Sequence, residues 1–455
     1  MPSTAFESGD KVDGVKQFKA VILIGGPFKG TRFRPLSLEL PKPLFPIAGF
    51  PVIYHHIEAF SKLPGLQEII LLGFYQPHES LSQLISSTQR EFNVTVRYLQ
   101  EFTALGTAGG IYQFRDQLLS GSPDLLFVMN GDVCCDLPLE GMLEFHASLG
   151  SGDRFVVMAT EATRQQSMKF GCIVENPETH EIMHYAEKPA TFVSTTINCG
   201  VYLFTPGIFK FIRIAFLQNQ NRMNYDLRPQ CIVGASHLDT RICQAASCQI
   251  KFAGAVIYAN RHILSLYERS HPHRLARSSV RNSTALNPLG GDGLLPPAAP
   301  VATLNGETPT DTSGPTIIGH VFIHSTATVD RTAVLGPNVS ISEGAIIRGG
   351  VRLRDCIVLR YAEIREHACC LNAVIGWNAI VGQWARVEGT PNDPNPDKPF
   401  TKLDVLPVFN TKGQLNPSIT VIGSNVEVPA EIIVLNCIVL PYKELVHSSK
   451  NQIIL

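Results

Sequence analysis

Thr316-Ile317-Ile318-Gly319-His320-Val321-Phe322-Ile323-His324-Ser325-Thr326-Ala327-Thr328-Val329-Asp330 opens a run in which an apolar residue returns at every sixth position. The series is Ile317, Ile323, Val329, Leu335, Ile341, Ile347, Leu353 and Leu359. Four residues after each stands a mostly small or β-branched residue: Val321, Ala327, Ala333, Val339, Ala345, Val351 and Ile357, with Glu363 breaking the run. Past a phase slip the period resumes at Ile375, Val381 and Val387, and again at Ile422, Val428, Val434 and Leu440. Six residues per face is the repeat of a parallel β-helix, whose coils bury their apolar corners only against one another. A β-sandwich would instead alternate with period two and turn about every 8–12 residues.

Outward from the repeat, the texture changes twice. Residues 282–315 contain six Pro and five Gly but no aromatic residue, Lys or Arg, a composition expected of a linker. Before it, from Phe18 to about Glu268, short apolar runs (KAVILIGG, EIILLGF, VTVRYL, DLLFVMNGD) alternate with helical stretches such as VIYHHIEAFSKL. That alternation predicts βαβ units and a mostly parallel sheet with helices on both faces. The expected division is a polar extension at 1–17, an α/β domain at 18–268, a linker at 269–315 and a β-helix at 316–455. Within the β-helix, the segment 390–417 interrupts the repeat with six prolines. Its Phe400, Leu403, Val405, Leu406, Val408 and Phe409 are too apolar for a spacer, so it is expected to dock on a partner. The stretch 219–246 has neither helical nor alternating period and is expected to pack poorly.

The whole chain has 455 residues, with 38 Lys+Arg against 39 Asp+Glu, so no global basic footprint for nucleic acid exists. No apolar run reaches the ~20 residues that span a bilayer, and the first 17 residues lack the apolar core of a signal peptide. Eleven scattered cysteines with no C-x-x-C pair fit reduced, buried thiols and a cytoplasmic location better than a disulfide framework or a zinc site.

The residues that carry chemistry begin directly after the strand AVILI, at Gly25-Gly26-Pro27-Phe28-Lys29-Gly30-Thr31-Arg32-Phe33-Arg34-Pro35-Leu36. Glycines there let backbone N–H groups approach phosphate oxygens. Arg32, and Lys42 in Pro41-Lys42-Pro43-Leu44, supply cations for a polyphosphate. With Leu105-Gly106-Thr107-Ala108-Gly109, Asn130-Gly131-Asp132, Glu187-Lys188-Pro189 and Asn198-Cys199-Gly200, the chain resembles the sugar-nucleotide pyrophosphorylases over most of its length. That resemblance implies a Rossmann-like nucleotidyltransferase domain followed by a left-handed β-helix. It implies that Gly25, Gly26, Arg32, Lys42, Gly106, Thr107, Asp132, Glu187, Lys188 and Asn198 line a nucleotide-sugar site, with Mg²⁺ on Asp132. Glu101 can accept two hydrogen bonds from the N1–H and N2–H₂ edge of guanine, a donor pair that adenine and uracil lack. Within the family, the Ile375-Gly376-Trp377-Asn378 and Val381-Gly382-Gln383-Trp384 coils and the ending Asn451-Gln452-Ile453-Ile454-Leu455 look most like the animal GDP-mannose pyrophosphorylases, and the 390–417 insertion and the widened glycine loop like their alpha, regulatory, subunits.

Two departures from catalytic relatives point away from turnover. Three residues (Pro27, Phe28, Lys29) replace one between Gly-Gly and Gly-Thr-Arg, and a shift of about 1 Å in Arg32 can cost ~10²-fold in rate. Gln249 stands where those relatives carry a second Mg²⁺ carboxylate, leaving Asp132 a weak metal site. The resemblance therefore implies a chain with no catalytic set of its own, in which Arg32, Lys42 and Asp132 are vestigial. Such a chain would bind GDP-mannose through these residues and Gln249, and restrain a catalytic beta-type guanylyltransferase subunit in a homo- and hetero-oligomer. It would need no cofactor for regulation, and Mg²⁺ only for residual turnover. Three alternatives stay open: an active guanylyl-, thymidylyl- or adenylyltransferase; a hexapeptide-repeat acyltransferase using His320, His324 or His367; and a scaffold without ligand.

Overall fold

The computed structural model describes residues 16–26, 33–102, 106–150, 152–218, 238–242, 248–250, 252–277, 314–391, 407–411 and 413–455. Strand β1 (Phe18–Gly25) is central, with Leu66–Gly73 and Leu125–Asn130 parallel on its two sides and Val96–Gln100 parallel beyond the first. Their near-continuous apolar sequences are those of strands covered on both faces. The sheet becomes mixed past Leu125–Asn130, where Thr196–Phe204 runs antiparallel and pairs with Phe155–Glu161 and Gly171–Glu175. Helix α1 (Val52–Ser61) buries Val52, Ile53, Ile57 and Phe60, an i, i+1, i+4/5, i+8 stripe. Of the atypical segment 219–246, only Leu238–Ile242 lies within the described residues, as a strand parallel to Phe155–Glu161.

The C-terminal half is a parallel β-helix. Ile317 stacks on Leu335 and Leu335 on Leu353, each coil taking eighteen residues. The next coils are one residue shorter: Ile341 pairs with Val358, Leu353 with Cys370, and Ile347 with Ile364. This corrects four expected positions. Val358, not Leu359, fills the interior corner, Ala362 takes the position assigned to Glu363, and Val439 replaces Leu440. Ile357 and Leu359, expected inside, point outward instead and join the contact with the first domain. Residues at successive coil corners adopt left-handed φ, among them Asn338, Asn378, Asn425, Tyr361, His367 and Trp384. Asn tolerates this region best after Gly. At Gly344 and Gly350, a side chain would collide with Tyr361 and His367 of the following coil.

The halves meet along helix α2 (Ala255–Ser270), whose Val256, Ile257 and Ala259 are fully buried against Ile357, Leu359, Val374, Ile419 and Val421. Phe45 meets Trp377 edge-on at 6.0 Å, and Phe50 meets Phe322 at 5.7 Å. Asn260, buried in this contact, satisfies itself on both sides. Its Oδ1 accepts from Ala48 N–H at 2.8 Å, and its Nδ2 donates to the Asn338 carbonyl at 3.3 Å. The first domain's last helix passes the expected boundary at 268, and the chain remains fixed beyond it. Arg274 grips Glu58 with two nitrogens (2.9 and 3.1 Å) over the rings of Phe50, Tyr54 and Tyr267, and Ala276 N–H donates to the Val321 carbonyl. The part of the linker at 278–313 lies outside the described residues.

Most of the insertion, 392–406 and 412, also lies outside the described residues. Its two ends meet where Thr390 N–H donates to the Ser418 carbonyl at 3.0 Å, so the coil closes beneath it. The returning limb forms a small hairpin, with Asn416 N–H on the Val408 carbonyl and a bridge between Phe409 and Leu415. Val408 and Phe409 are half exposed.

Candidate nucleotide-sugar site

The carboxyl ends of the parallel strands, where open α/β sheets take their ligands, gather the residues expected at the site. β1 ends in Gly25, at φ +69°, and Gly26 passes so close to Phe74 that an added Cβ would lie 2.6 Å from the Phe74 Cβ. Phe74 N–H donates to the Gly25 carbonyl and Gly131 N–H to the Leu23 carbonyl, both at 2.8 Å, which ties the glycine turn to both flanking strands. Arg32 and the widened loop at 27–32 lie outside the described residues.

Lys42 opens a single 3₁₀ turn, Lys42–Leu44, enforced by Pro41 and Pro43. Its Nζ donates to Asp132 Oδ2 at 2.8 Å and lies 6.0 Å from the Phe33 ring. Asp132 follows the strand Leu125–Asn130, ninety residues away in sequence. Beyond it, Val133–Cys134 pairs antiparallel with Cys248–Gln249, so Gln249 stands opposite Val133 and Ile250 N–H donates to the Asp132 carbonyl at 2.9 Å. The structure therefore brings Gly25, Gly26, Lys42, Asp132 and the backbone of Gln249 to one edge. The resemblance implied Mg²⁺ on Asp132, and the residues described at this edge do not fit it. Asp132 is engaged by an ammonium, its neighbouring position carries an amide, and no group of three or more His, Cys, Asp or Glu among the described residues could hold a metal.

Two further groups hold the remaining residues expected at the site. Glu101, at the end of Val96–Gln100, is 7 % exposed, with its carboxylate against Gly110 of the helix Gly106–Gln113. A side chain at Gly110 would collide with Glu101 Oε1, so this glycine is required by the packing. The side chain of Thr107 lies outside the described residues, and Gly106 is placed as the first residue of that helix. At the other end, Asn198-Cys199-Gly200 is a bulge in Thr196–Phe204, with Gly200 at φ +77°. Asn198 Oδ1 accepts from Gly200 N–H, and its Nδ2 donates to the Tyr202 hydroxyl, both at 2.8 Å. The Tyr185 hydroxyl donates to Glu187 Oε2 at 2.6 Å, and Lys188, at φ +44°, places its ammonium 3.3 Å from Glu187 Oε1. Burial pushes the Tyr202 phenol up to about 12, and burial with the Glu187 hydrogen bond raises Tyr185 further. Both are neutral donors at physiological pH. Sequence reasoning missed these tyrosines. Any side chain at Gly171 would collide with the Tyr185 hydroxyl, a constraint that shows only once the fold is known.

Behind the Asp132 edge, His56 Nε2 donates to the Val133 carbonyl at 2.7 Å, and a cavity of about 420 Å³ opens between α1, α2 and residues 133–137. The eight cysteines described with their side chains are all free thiols. Burial pushes those of Cys134 and Cys356 up to about 12.

A family model described as nucleotidyl transferase matches residues 19–241, and one described as GMPPB C-terminal domain matches 317–454. The chain is 50 % identical over 452 residues to the mannose-1-phosphate guanylyltransferase regulatory subunit alpha of Xenopus tropicalis. It is 49 % identical over 453 residues to the proteins of that name from Homo sapiens and, as alpha-A, from Danio rerio. In each case the match covers 96 % of this chain and 100 % of the relative.

Proposed function

The chain belongs to the family of mannose-1-phosphate guanylyltransferase regulatory subunits alpha, and from that premise we propose that its cleft binds GDP-mannose without appreciable turnover and restrains a catalytic beta-type subunit. The observation that carries this reading is the edge where Lys42 is paired with Asp132 and Gln249 is set beside them by strand pairing. It keeps a cation, glycine N–H groups and hydrogen-bonding side chains for a diphosphate sugar. It lacks the second carboxylate that in-line phosphoryl chemistry asks for. Glu101 reads the guanine edge, and Glu187, Lys188 and Asn198 border the sugar. GDP-mannose regulates only insofar as it prefers one of two assembly states, since equal affinity for both shifts nothing. The insertion at 390–417 reaches the partner. In support, both its ends and the first domain converge on the same coils: Trp377 faces Phe45, three residues after Lys42, and Ile419 lies 3.3 Å from where a Gly254 side chain would begin. A cytoplasmic location is supported by the free thiols, and no helix among the described residues is long and apolar enough to cross a membrane.

The test is single-turnover formation of GDP-mannose by the purified chain with GTP, Mg²⁺ and mannose 1-phosphate, alongside calorimetric titration with GDP-mannose. Binding without turnover is expected. Turnover at ordinary enzymatic rates would replace this reading with that of an active guanylyltransferase. Deleting 392–406 is expected to relieve inhibition of the beta-type subunit while leaving GDP-mannose binding intact, and unchanged inhibition would remove the loop from the mechanism.

A further inference from the structure

A diphosphate needs its charge offset wherever it binds. A divalent ion does so by inner-sphere contacts and needs several hard anionic oxygens to hold it. This cleft offers a different solution. The Asp132 side chain is 30 % exposed and already carries a partner, Lys42, whose side chain is 17 % exposed and whose ammonium is held at 2.8 Å. Lys42 is fixed at both ends. Prolines on either side set the turn it opens, and the Phe45 N–H closes that turn on the Lys42 carbonyl at 3.1 Å. On the other flank, the two-strand ladder fixes the backbone of Gln249 opposite Val133, so the edge carries, among the described residues, the Asp132 carboxylate and the Lys42 ammonium with a glutamine position beside them. An ion entering here would meet a carboxylate whose Oδ2 is already held by an ammonium.

We propose that Lys42 is the resident cation of this site, and that nucleotide-sugar binding to this chain is independent of divalent metal. The inference rests on the reading of the cleft given above. Lys42 bridges Asp132 and the diphosphate, which spares the two anions from facing each other directly, and the N–H groups at Gly25 and Gly26 supply further positive edge. A tethered ammonium costs no ion dehydration, yet it cannot hold attacking and leaving oxygens together as a shared metal does. The same substitution thus favours retention of a finished nucleotide sugar over its synthesis.

The experiment is calorimetric titration of the full chain with GDP-mannose, once in excess EDTA and once in excess Mg²⁺. Equal affinity within about twofold is expected, and a loss of tenfold or more in EDTA would overturn the proposal. Lys42→Met, checked for an unchanged melting profile, is expected to weaken binding tenfold or more in both buffers. Wild-type-like affinity in that variant would also overturn it. Gln249→Asp supplies the second carboxylate and is expected to make affinity rise with Mg²⁺. Indifference of that variant to metal would remove Gln249 from the argument. Water-proton relaxation with Mn²⁺ gives an independent readout: no enhancement is expected from the wild-type chain, with or without GDP-mannose, and enhancement would count against it. Absence of GDP-mannose binding by the wild-type chain in either buffer would be a different failure, that of the cleft reading itself.

Discussion

The β-helix and the nucleotidyltransferase domain bury apolar surface in opposite ways. In the β-helix each interior residue is stacked on its counterpart one coil away, and nearly every one, from Val329 to Val439, is fully buried in a single continuous column. In the first domain the core is divided between the two faces of a sheet, and its functional edge collects residues as distant as Lys42, Asp132 and Gln249. A column built by repetition has no special position, so it can carry an inserted loop without losing its register. A sheet edge built from distant segments is all special positions, and there a change of one residue type alters the chemistry. The two strategies meet at α2, where the outward residues of the coils become part of the first domain's core.

That contrast can be broken most severely from inside the column. Ile364 is fully buried between Ile347 and Val381 within the apolar column. Ile364→Asp would strand a charge there and is expected to cost about 4 kcal/mol or more, abolishing cooperative unfolding of the β-helix in circular dichroism melts. A melt close to the parent's would show that the coils are less dry than the stacking implies. The joint between the halves comes next. Phe45→Ala removes a ring that is 1 % exposed and contacts both Phe33 and Trp377, at an expected cost of about 3–5 kcal/mol. If the halves are separate units joined by that contact, calorimetry should resolve two transitions where the parent shows one. A single shifted transition would mean that they fold as one.

Acid should act on one half first. Burial lowers the pKa of both His55 and His56 to about 4 from an ordinary 6.5, while the apolar column of the β-helix contains no histidine. Between those values the unfolded chain binds more protons than the folded one, so stability is complete above about pH 6.5 and falls as pH drops towards 4. His56, whose Nδ1 is buried without a partner, is expected to account for about 3 kcal/mol of that loss. Denaturant titrations at pH 7 and pH 5 should show the first domain weakening, and His56→Gln should flatten the dependence. Equal weakening of both halves would locate the acid sensitivity elsewhere.

Much of this was legible before any coordinates. The sixfold period announced the coils, and the glycine, P-K-P and G-D segments pointed to the strand ends where Gly25, Lys42 and Asp132 lie. What misled was Leu359. The coil shortens by one residue there, and because the outer face also packs on protein, Ile357, Val358 and Leu359 are all apolar and the pattern cannot say which is inside. Glu101 was readable as a carboxylate beside a glycine loop, but not its burial against Gly110. Tyr185 and Tyr202 gave no signal, because their roles come from a bulge that brings Asn198 and Gly200 back on themselves.

The sequence by itself determined the two architectures and the family of the chain, because apolar periodicity and glycine-rich turns are local properties of the chain. Only the tertiary structure decided that Lys42 sits on Asp132, that Gln249 stands at their side, and which face of each coil meets α2. Those are contacts between segments up to some two hundred residues apart, and they are fixed by strand register and packing, which no local pattern encodes.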